Sequence, residues 1–193
     1  MIYYRSIDNI HPPILRELGF KAHPISMLGF RHDLDSLPEY RPLKGINIRS
    51  IDLTTERQKF IELARAVFDD PANQGEPVNV AHLDLTSSHP NFKPEQFLFA
   101  EAGNKPVGYI LILQTELGEG LSYDIADFGV LPQWRGKGIG YTLMVYALNW
   151  IKRQKAKTAL AASFSSNPAN AVYWRLGFRP DPARTYNFFF KSI

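Results

Sequence analysis

The chain has 193 residues, 45% hydrophobic and 21% charged, with a formal net charge of +3. That suits a globular domain with a real core and argues against a nucleic-acid platform, since no Lys/Arg-rich run appears. Cysteine is absent, which excludes disulfides, thiolate metal sites and a cysteine nucleophile. The five histidines (11, 23, 32, 82 and 89) show no metal-ligand spacing such as HExxH, so no metal is expected. No stretch approaches 18 consecutive apolar residues, so no membrane span is expected. The start, MIYYRSIDNIHPP, lacks an apolar signal region, and the expected location is cytoplasmic.

Residues 46–52 (INIRSID) alternate apolar and polar, as a half-buried strand does. Thr54 or Thr55 can cap a helix whose apolar positions Phe60, Ile61, Ala64, Val67 and Phe68 recur at helical spacing. The segment DDPANQGEP (69–77) stops it. Residues 78–95 read as a short helix and a loop. Two strands follow, QFLFAEA (96–102) and VGYILILQTEL (107–117), joined by GNKP, a hairpin signal. After GEG comes LSYDIADFGVL (121–131), the third strand of an antiparallel meander.

The segment VLPQWRGKGIGYTLM (130–144) stands between that strand and a helix with an apolar stripe through Ile139, Leu143, Tyr146/Ala147 and Trp150/Ile151. It lacks the GxxxxGK[ST] of a Walker loop and the third glycine of a dinucleotide fingerprint. Its spacing is RxxGxG. Glycines let successive backbone N–H groups converge on an anion, and the helix N-terminus adds partial positive charge. Arg135 and Lys137 supply full charges. This is chemistry for a pyrophosphate. Beyond lie a buried strand (159–165), a helix opened by Asn167-Pro168 and ended by Gly177, and a last strand (185–193).

The segment VLPQWRGKGIG followed by TLM, and then NPANAVYWRLGF (167–178) after a buried strand, resembles the GNAT N-acetyltransferase superfamily. The resemblance runs from Gly45 to Ile193. It implies an α/β fold with a mixed, mainly antiparallel sheet flanked by helices. It implies acetyl-CoA as co-substrate, without a metal, and a small-molecule or peptide amine as acceptor. The cofactor-binding residues it implies are Gly129, Val130 and Leu131 along the pantetheine arm, Arg135, Gly136, Lys137, Gly138, Ile139, Gly140 and Tyr141 around the pyrophosphate, and Asn167 or Asn170 against the arm. A β-bulge is expected near Phe128–Val130.

The expected reaction transfers an acetyl group to a primary amine by direct attack on the thioester. Tyr173 is the candidate acid, placed four residues before Gly177-Phe178. Asp124 and Asp127 are the candidate bases, with Asp127 preferred as nearer the expected thioester. Strict alternation puts these two on opposite faces unless a bulge intervenes. Glu116 and Tyr123 are weaker options. Asp69, Asp70 and Glu76 could attract a cationic acceptor, and Phe92 and Trp134 could line an apolar one. A non-catalytic acyl-CoA-binding module is the alternative.

Residues 1–44 do not belong to that fold. Displaced by 158 positions, residues 9–33 lie over 167–191, and Asn9, Leu18, Gly19, Phe20, Pro24 and Phe30 match Asn167, Leu176, Gly177, Phe178, Pro182 and Phe188. The match falls on cap, helix stop and final strand, as in a duplicated helix–strand unit. Tandem GNAT proteins have a similar junction. The expected organisation is therefore an N-terminal helix–strand extension over 1–44, the remnant of a first GNAT domain, with 35–44 as linker, and an acetyltransferase domain over 45–193. Leu15 stands where the second copy has Tyr173, so the first copy cannot catalyse. Its apolar strand needs a neighbour, either the main sheet or a second subunit in a homodimer.

Overall fold

The computed structural model describes residues 2–6, 11–69, 83–84, 87–88, 90–116 and 120–191. The chain divides into two compact units, residues 1–32 with 160–193, and residues 33–159. The architecture is mixed α/β, and the strand pairs described below are antiparallel.

The unit 33–159 is built on a meander. Strands β3 (Ile46–Ser50), β4 (Phe97–Ala102), β5 (Lys105–Glu116) and β6 (Leu121–Val130) pair in sequence order. The β4–β5 turn is Gly103-Asn104, and Gly103 adopts φ +61°, a conformation that glycine takes without strain. Helix α2 (Arg57–Phe68) covers one face. Its Phe60, Leu63, Ala64 and Val67 pack with Phe97, Phe99, Tyr109 and Leu111 of the sheet. Asp52, rather than Thr54 or Thr55, organises the approach to this helix. Its carboxylate accepts the Thr54 N–H and both threonine hydroxyls, and its carbonyl accepts the Glu56 N–H at 2.7 Å. Of residues 78–95, expected to hold a short helix and a loop, 78–82, 85, 86 and 89 lie outside the described residues, and the segment ends in a 3-10 turn (Pro94–Gln96).

Ion pairs fasten the start of α2 to the sheet. The Arg49 guanidinium lies 5.4 Å from the Phe99 ring centroid and donates to both carboxylate oxygens of Glu56 and of Glu101. Lys59 joins at 3.3 Å from Glu56 and 3.6 Å from Glu101. The hydrogen bonds from Arg49 hold the Glu56 carboxyl down at a pKa of about 2. A depressed carboxyl stabilises the fold above its ordinary value and loses that contribution as pH falls toward the folded value. Acid unfolding should therefore show a component between about pH 4.5 and 2. Glu56→Gln should remove that component and cost about 1–2 kcal/mol at neutral pH. Superimposable denaturation curves for the two proteins at pH 7 and pH 3 would contradict this.

Helix α3 (Ile139–Arg153) packs its Ile139–Leu143–Ala147–Ile151 stripe inward, as the apolar pattern requires. The segment 33–44 is not a free linker. It runs along α3 as a strap. The Asp35 carbonyl accepts from Lys152 Nζ at 3.1 Å, and the Pro38 carbonyl accepts from Asn149 Nδ2 at 3.0 Å. The Tyr40 ring meets Tyr146 edge-on at 5.1 Å. Thr142 and Val145 of α3 are buried.

The other unit combines β1 (Ile2–Ser6), α1 (His11–Glu17) and β2 (Lys21–His32) with most of β7 (Thr158–Phe164), then α4 (Asn170–Arg175), β8 (Arg179–Pro180) and β9 (Tyr186–Lys191). The N-terminal segment is thus strand–helix–strand, one strand more than the sequence pattern suggests. Its elements repeat those of the C-terminal segment at the 158-residue offset. The helix stops coincide bond for bond. Leu18, Gly19 and Phe20 donate to Ile14, Arg16 and Leu15, and Leu176, Gly177 and Phe178 donate to Val172, Trp174 and Tyr173. Gly19 and Gly177 take φ +80° and +84°, the left-handed helix stop that glycine favours. The strand order β1-β9-β2-β7 reads the same with the copies exchanged, so the two copies are related by an approximate two-fold through the β9·β2 pair. Pro24 and Pro182 are equivalent. Pro24 lies where the β2·β9 register shifts, and Pro182 opens a 3-10 turn between β8 and β9. The apolar end of β2, which needed a neighbour, has β8 and β9 beside it.

Candidate active site

Strand β6 leads into the glycine loop, and its register decides which side chains accompany it. Leu113 pairs with Asp124 and Ile112 with Ile125, but Leu111 pairs with Asp127, so Ala126 is an extra residue. The bulge therefore lies at 125–127, earlier than the 128–130 expected. It corrects the parity as well. Leu111 and Leu113 share a face, so Asp124 and Asp127 do too, contrary to simple alternation. That face also carries Tyr109, opposite Gly129, and is the face that α2 covers. Tyr109 is fully buried, its ring edge-on to Phe60 at 5.0 Å, and its hydroxyl donates to Asp127 Oδ2 at 2.9 Å. Gly129 is required by crowding. A Cβ there would stand 2.3 Å from Val67 Cγ1 of α2.

Beyond Val130 the Leu131 N–H donates to the Val107 carbonyl at 2.9 Å, and a 3-10 turn (Pro132–Trp134) delivers Arg135. The Arg135 side chain turns back to bind carbonyls, with Nε on Val130 at 3.0 Å and Nη2 on Val67 at 3.0 Å. It ties the loop to the last turn of α2. The Lys137 ammonium lies 4.6 Å from the Trp134 ring centroid, a cation–π contact, so Trp134 is engaged within the loop itself. Gly136 and Gly138 take φ +73° and +84°, and nothing lies within 4 Å of where their Cβ atoms would be. Gly138 caps α3. The first helical bond here runs from the Thr142 N–H to the Gly138 carbonyl at 2.9 Å, so residues 139–141 form the opening turn of α3. Ile139 is itself buried, so it can offer a ligand its backbone alone. This arrangement fits a pyrophosphate.

Tyr173, Asn167 and Asn170 lie in the other unit. Tyr173 is 2% exposed and packs between Phe30 at 4.9 Å and Phe178 at 5.3 Å. Phe30 comes from the N-terminal segment, as does His32, whose Nε2 donates to the Leu176 carbonyl at 2.9 Å. Asn167 Oδ1 accepts the Ala169 N–H at 2.9 Å, an Asx turn before α4. The Asn170 amide is engaged at both ends. Its oxygen accepts from Ser163, and its nitrogen donates to the Phe164 carbonyl at 2.9 Å. Both asparagines therefore serve the turn between β7 and α4. Phe92 packs on Phe97 at 5.4 Å, within the core. Asp70 and Glu76 lie outside the described residues. Sequence reasoning missed Tyr109, because inside VGYILIL it is one apolar position among many.

Known proteins bear on this geometry. Over 169 residues the chain is 27% identical to a mycothiol acetyltransferase of Streptomyces coelicolor, covering 86% of this chain and 50% of that protein. The chain spans about half the length of the curated relatives it matches. A GCN5-related N-acetyltransferase from Sphaerobacter thermophilus superimposes with a TM-score of 0.72 at 21% identity, over 97% of this chain and 57% of that one. The NatC complex bound to Gag peptide and CoA superimposes with a TM-score of 0.57 at 20% identity, over 77% of this chain and 99% of the matched chain. The family model for the GNAT acetyltransferase family matches residues 58–178, from α2 through the glycine loop to the end of the Tyr173 helix. The chain belongs to the GNAT acetyltransferase family.

Proposed function

We propose that the chain is an acetyl-CoA-dependent N-acetyltransferase that acts on a primary amine of a small molecule or peptide. The observation that carries this is β6. It is bulged so that two carboxylates share one face, and it runs straight into a positive-φ glycine loop that caps α3. Acetyl-CoA supplies the acyl group as a thioester. The backbone of 136–141 holds the pyrophosphate, and Gly129, Val130 and Leu131 flank the pantetheine arm. Asp127 takes the proton that leaves the amine as the N–C bond forms. Tyr173 gives a proton to the sulfur as the C–S bond breaks. Tyr109 fixes Asp127. Asn167 and Asn170 act by holding the start of α4. Residues 45–193 form the catalytic domain and 1–44 an added segment. The cytoplasm is the expected setting.

Thiol release from acetyl-CoA against a panel of amines tests this, in the wild type and in Asp127→Asn, Tyr109→Phe and the double variant. Asp127→Asn should slow turnover about 10²-fold, the usual scale for a base. Tyr109→Phe should slow the wild type several-fold and add nothing in the Asp127→Asn background, because it acts through that carboxylate. Full-speed Asp127→Asn would refute the base assignment, and Asp124 on the same face would be next. Acetyl-CoA binding with no amine accepted would favour a non-transferring acyl-CoA module.

A further inference from the structure

The two copies of the strand–helix–strand unit close their helices with the same bond from different donors. The last carbonyls of a helix lie past the reach of its own N–H groups. The Leu18 carbonyl after α1 accepts from Lys191 Nζ of β9 at 2.7 Å, and the equivalent Leu176 carbonyl after α4 accepts from His32 Nε2 of β2 at 2.9 Å. Each copy thus takes its donor from the last strand of the other. The lysine is exposed and on a flexible stem, whereas the histidine ring is rigid and 6% exposed. A carbonyl only accepts, so His32 Nε2 carries the proton.

At the 158-residue offset, Tyr173 and His32 correspond to Leu15 and Phe190. One half of the unit is apolar where the other buries a phenol and an imidazole. Burying polar groups costs free energy that leucine and phenylalanine avoid. Leu15 is buried under α1 and Lys191 closes that helix, so neither packing nor helix stop calls for Tyr173 and His32. Their contacts lead to one place. Phe30 lies against the Tyr173 ring at 4.9 Å with a tilt of 32°, Phe178 meets that ring edge-on at 5.3 Å, and His32 meets Phe178 edge-on at 5.2 Å. The Tyr173 carbonyl accepts the Leu176 and Phe178 N–H groups, both at 3.1 Å, so the turn that His32 fastens is tied to Tyr173 itself.

We infer that His32 and Phe30 are positioning residues for Tyr173. His32 fixes the turn that follows it, Phe30 fixes its ring, and together they aim the phenol at the leaving sulfur. The inference rests on the role given to Tyr173 above. A reacting group misplaced by about 1 Å can lose about 10²-fold in rate, so a rigid donor matters here, where a lysine serves a helix stop alone.

The test is thiol release from acetyl-CoA with an accepted amine, read as kcat and KM, with calorimetric affinity for acetyl-CoA on the whole chain. His32→Leu should lower kcat about tenfold and leave KM and affinity unchanged. His32→Gln, which keeps an N–H for the Leu176 carbonyl, should recover most of the loss. Neither should add to the loss in a Tyr173→Phe background. Lys191→Met removes the equivalent bond at α1 and should keep the wild-type kcat. Phe30→Leu should lower kcat several-fold by the same rule, and it carries the comparison if His32→Leu does not fold. Unchanged kcat in folded His32→Leu, the same loss with and without the Tyr173 hydroxyl, or a matching loss in Lys191→Met would overturn the inference and leave Tyr173 its role. A fully active Tyr173→Phe, or a wild type that transfers to no amine, would remove that role and the inference with it.

Discussion

Gly29→Ala should destabilise the protein by about 2–3 kcal/mol, the scale of overpacking a filled site. A Cβ at Gly29 would stand 2.5 Å from the Arg184 Cβ and 2.7 Å from the Arg184 carbonyl carbon. That neighbour is not the loose end of a side chain. The turn is fastened there, since the Asp181 N–H donates to the Gly29 carbonyl at 2.8 Å and the Gly29 N–H donates to Thr185 Oγ1 at 3.1 Å. To admit a methyl group, β2 or the 182–184 turn must move and these bonds must stretch. A thermal melt should shift down by about 5–10 °C for a chain of this size. The same change should slow catalysis, because Phe30, the next residue, packs on Tyr173. A melting temperature within a degree of wild type would show that the turn yields freely.

Tyr173→Phe should lower kcat about 10²-fold while leaving the affinity for acetyl-CoA unchanged. The substitution removes one oxygen and keeps the ring, so the packing against Phe30 and Phe178 survives. A phenol has an ordinary pKa of about 10, close enough to a thiol's to hand over its proton as the sulfur leaves. The signature is a loss in turnover without a matching loss in binding, the mark of an interaction made in the transition state. Thermal stability provides the control. Unchanged turnover would remove Tyr173 from the chemistry and make it a core residue.

The meander, the glycine loop and the helix after it were legible because each is local. Alternation, a two-residue turn and a 3.6-residue stripe are written within one element. The duplicated segment was legible because its punctuation recurs at one offset, and Gly19 and Gly177 take the same backbone conformation. The bulge at Ala126 was misplaced because a bulge is a relation between two strands, and nothing in YDIADFGVL marks the extra residue. That error hid the shared face of Asp124 and Asp127. Arg135 read as a phosphate ligand because its charge stands in the loop, yet its guanidinium turns toward the Val67 and Val130 carbonyls. Pro38 and Pro42 mark 33–44 as irregular chain, but the pairing of Tyr40 with Tyr146 is a tertiary fact that composition does not carry.

The duplicated strand–helix–strand unit has a consequence for how the chain comes to its native state. Strand β9 lies between β1 and β2, so both its neighbours come from the opposite end of the sequence. The whole of residues 33–159 must be made before those strands can meet. Loop-closure entropy weighs on such pairings, and high contact order slows them. The meander of β3 to β6 has no such delay and is suited to forming first. Until β9 arrives, the apolar end of β2 waits without its partner. In that interval the β2 of one molecule can meet the β9 of another and form the same contacts across two chains. Exchange of this kind, favoured at high concentration during refolding, is the misassembly to which this architecture is most exposed.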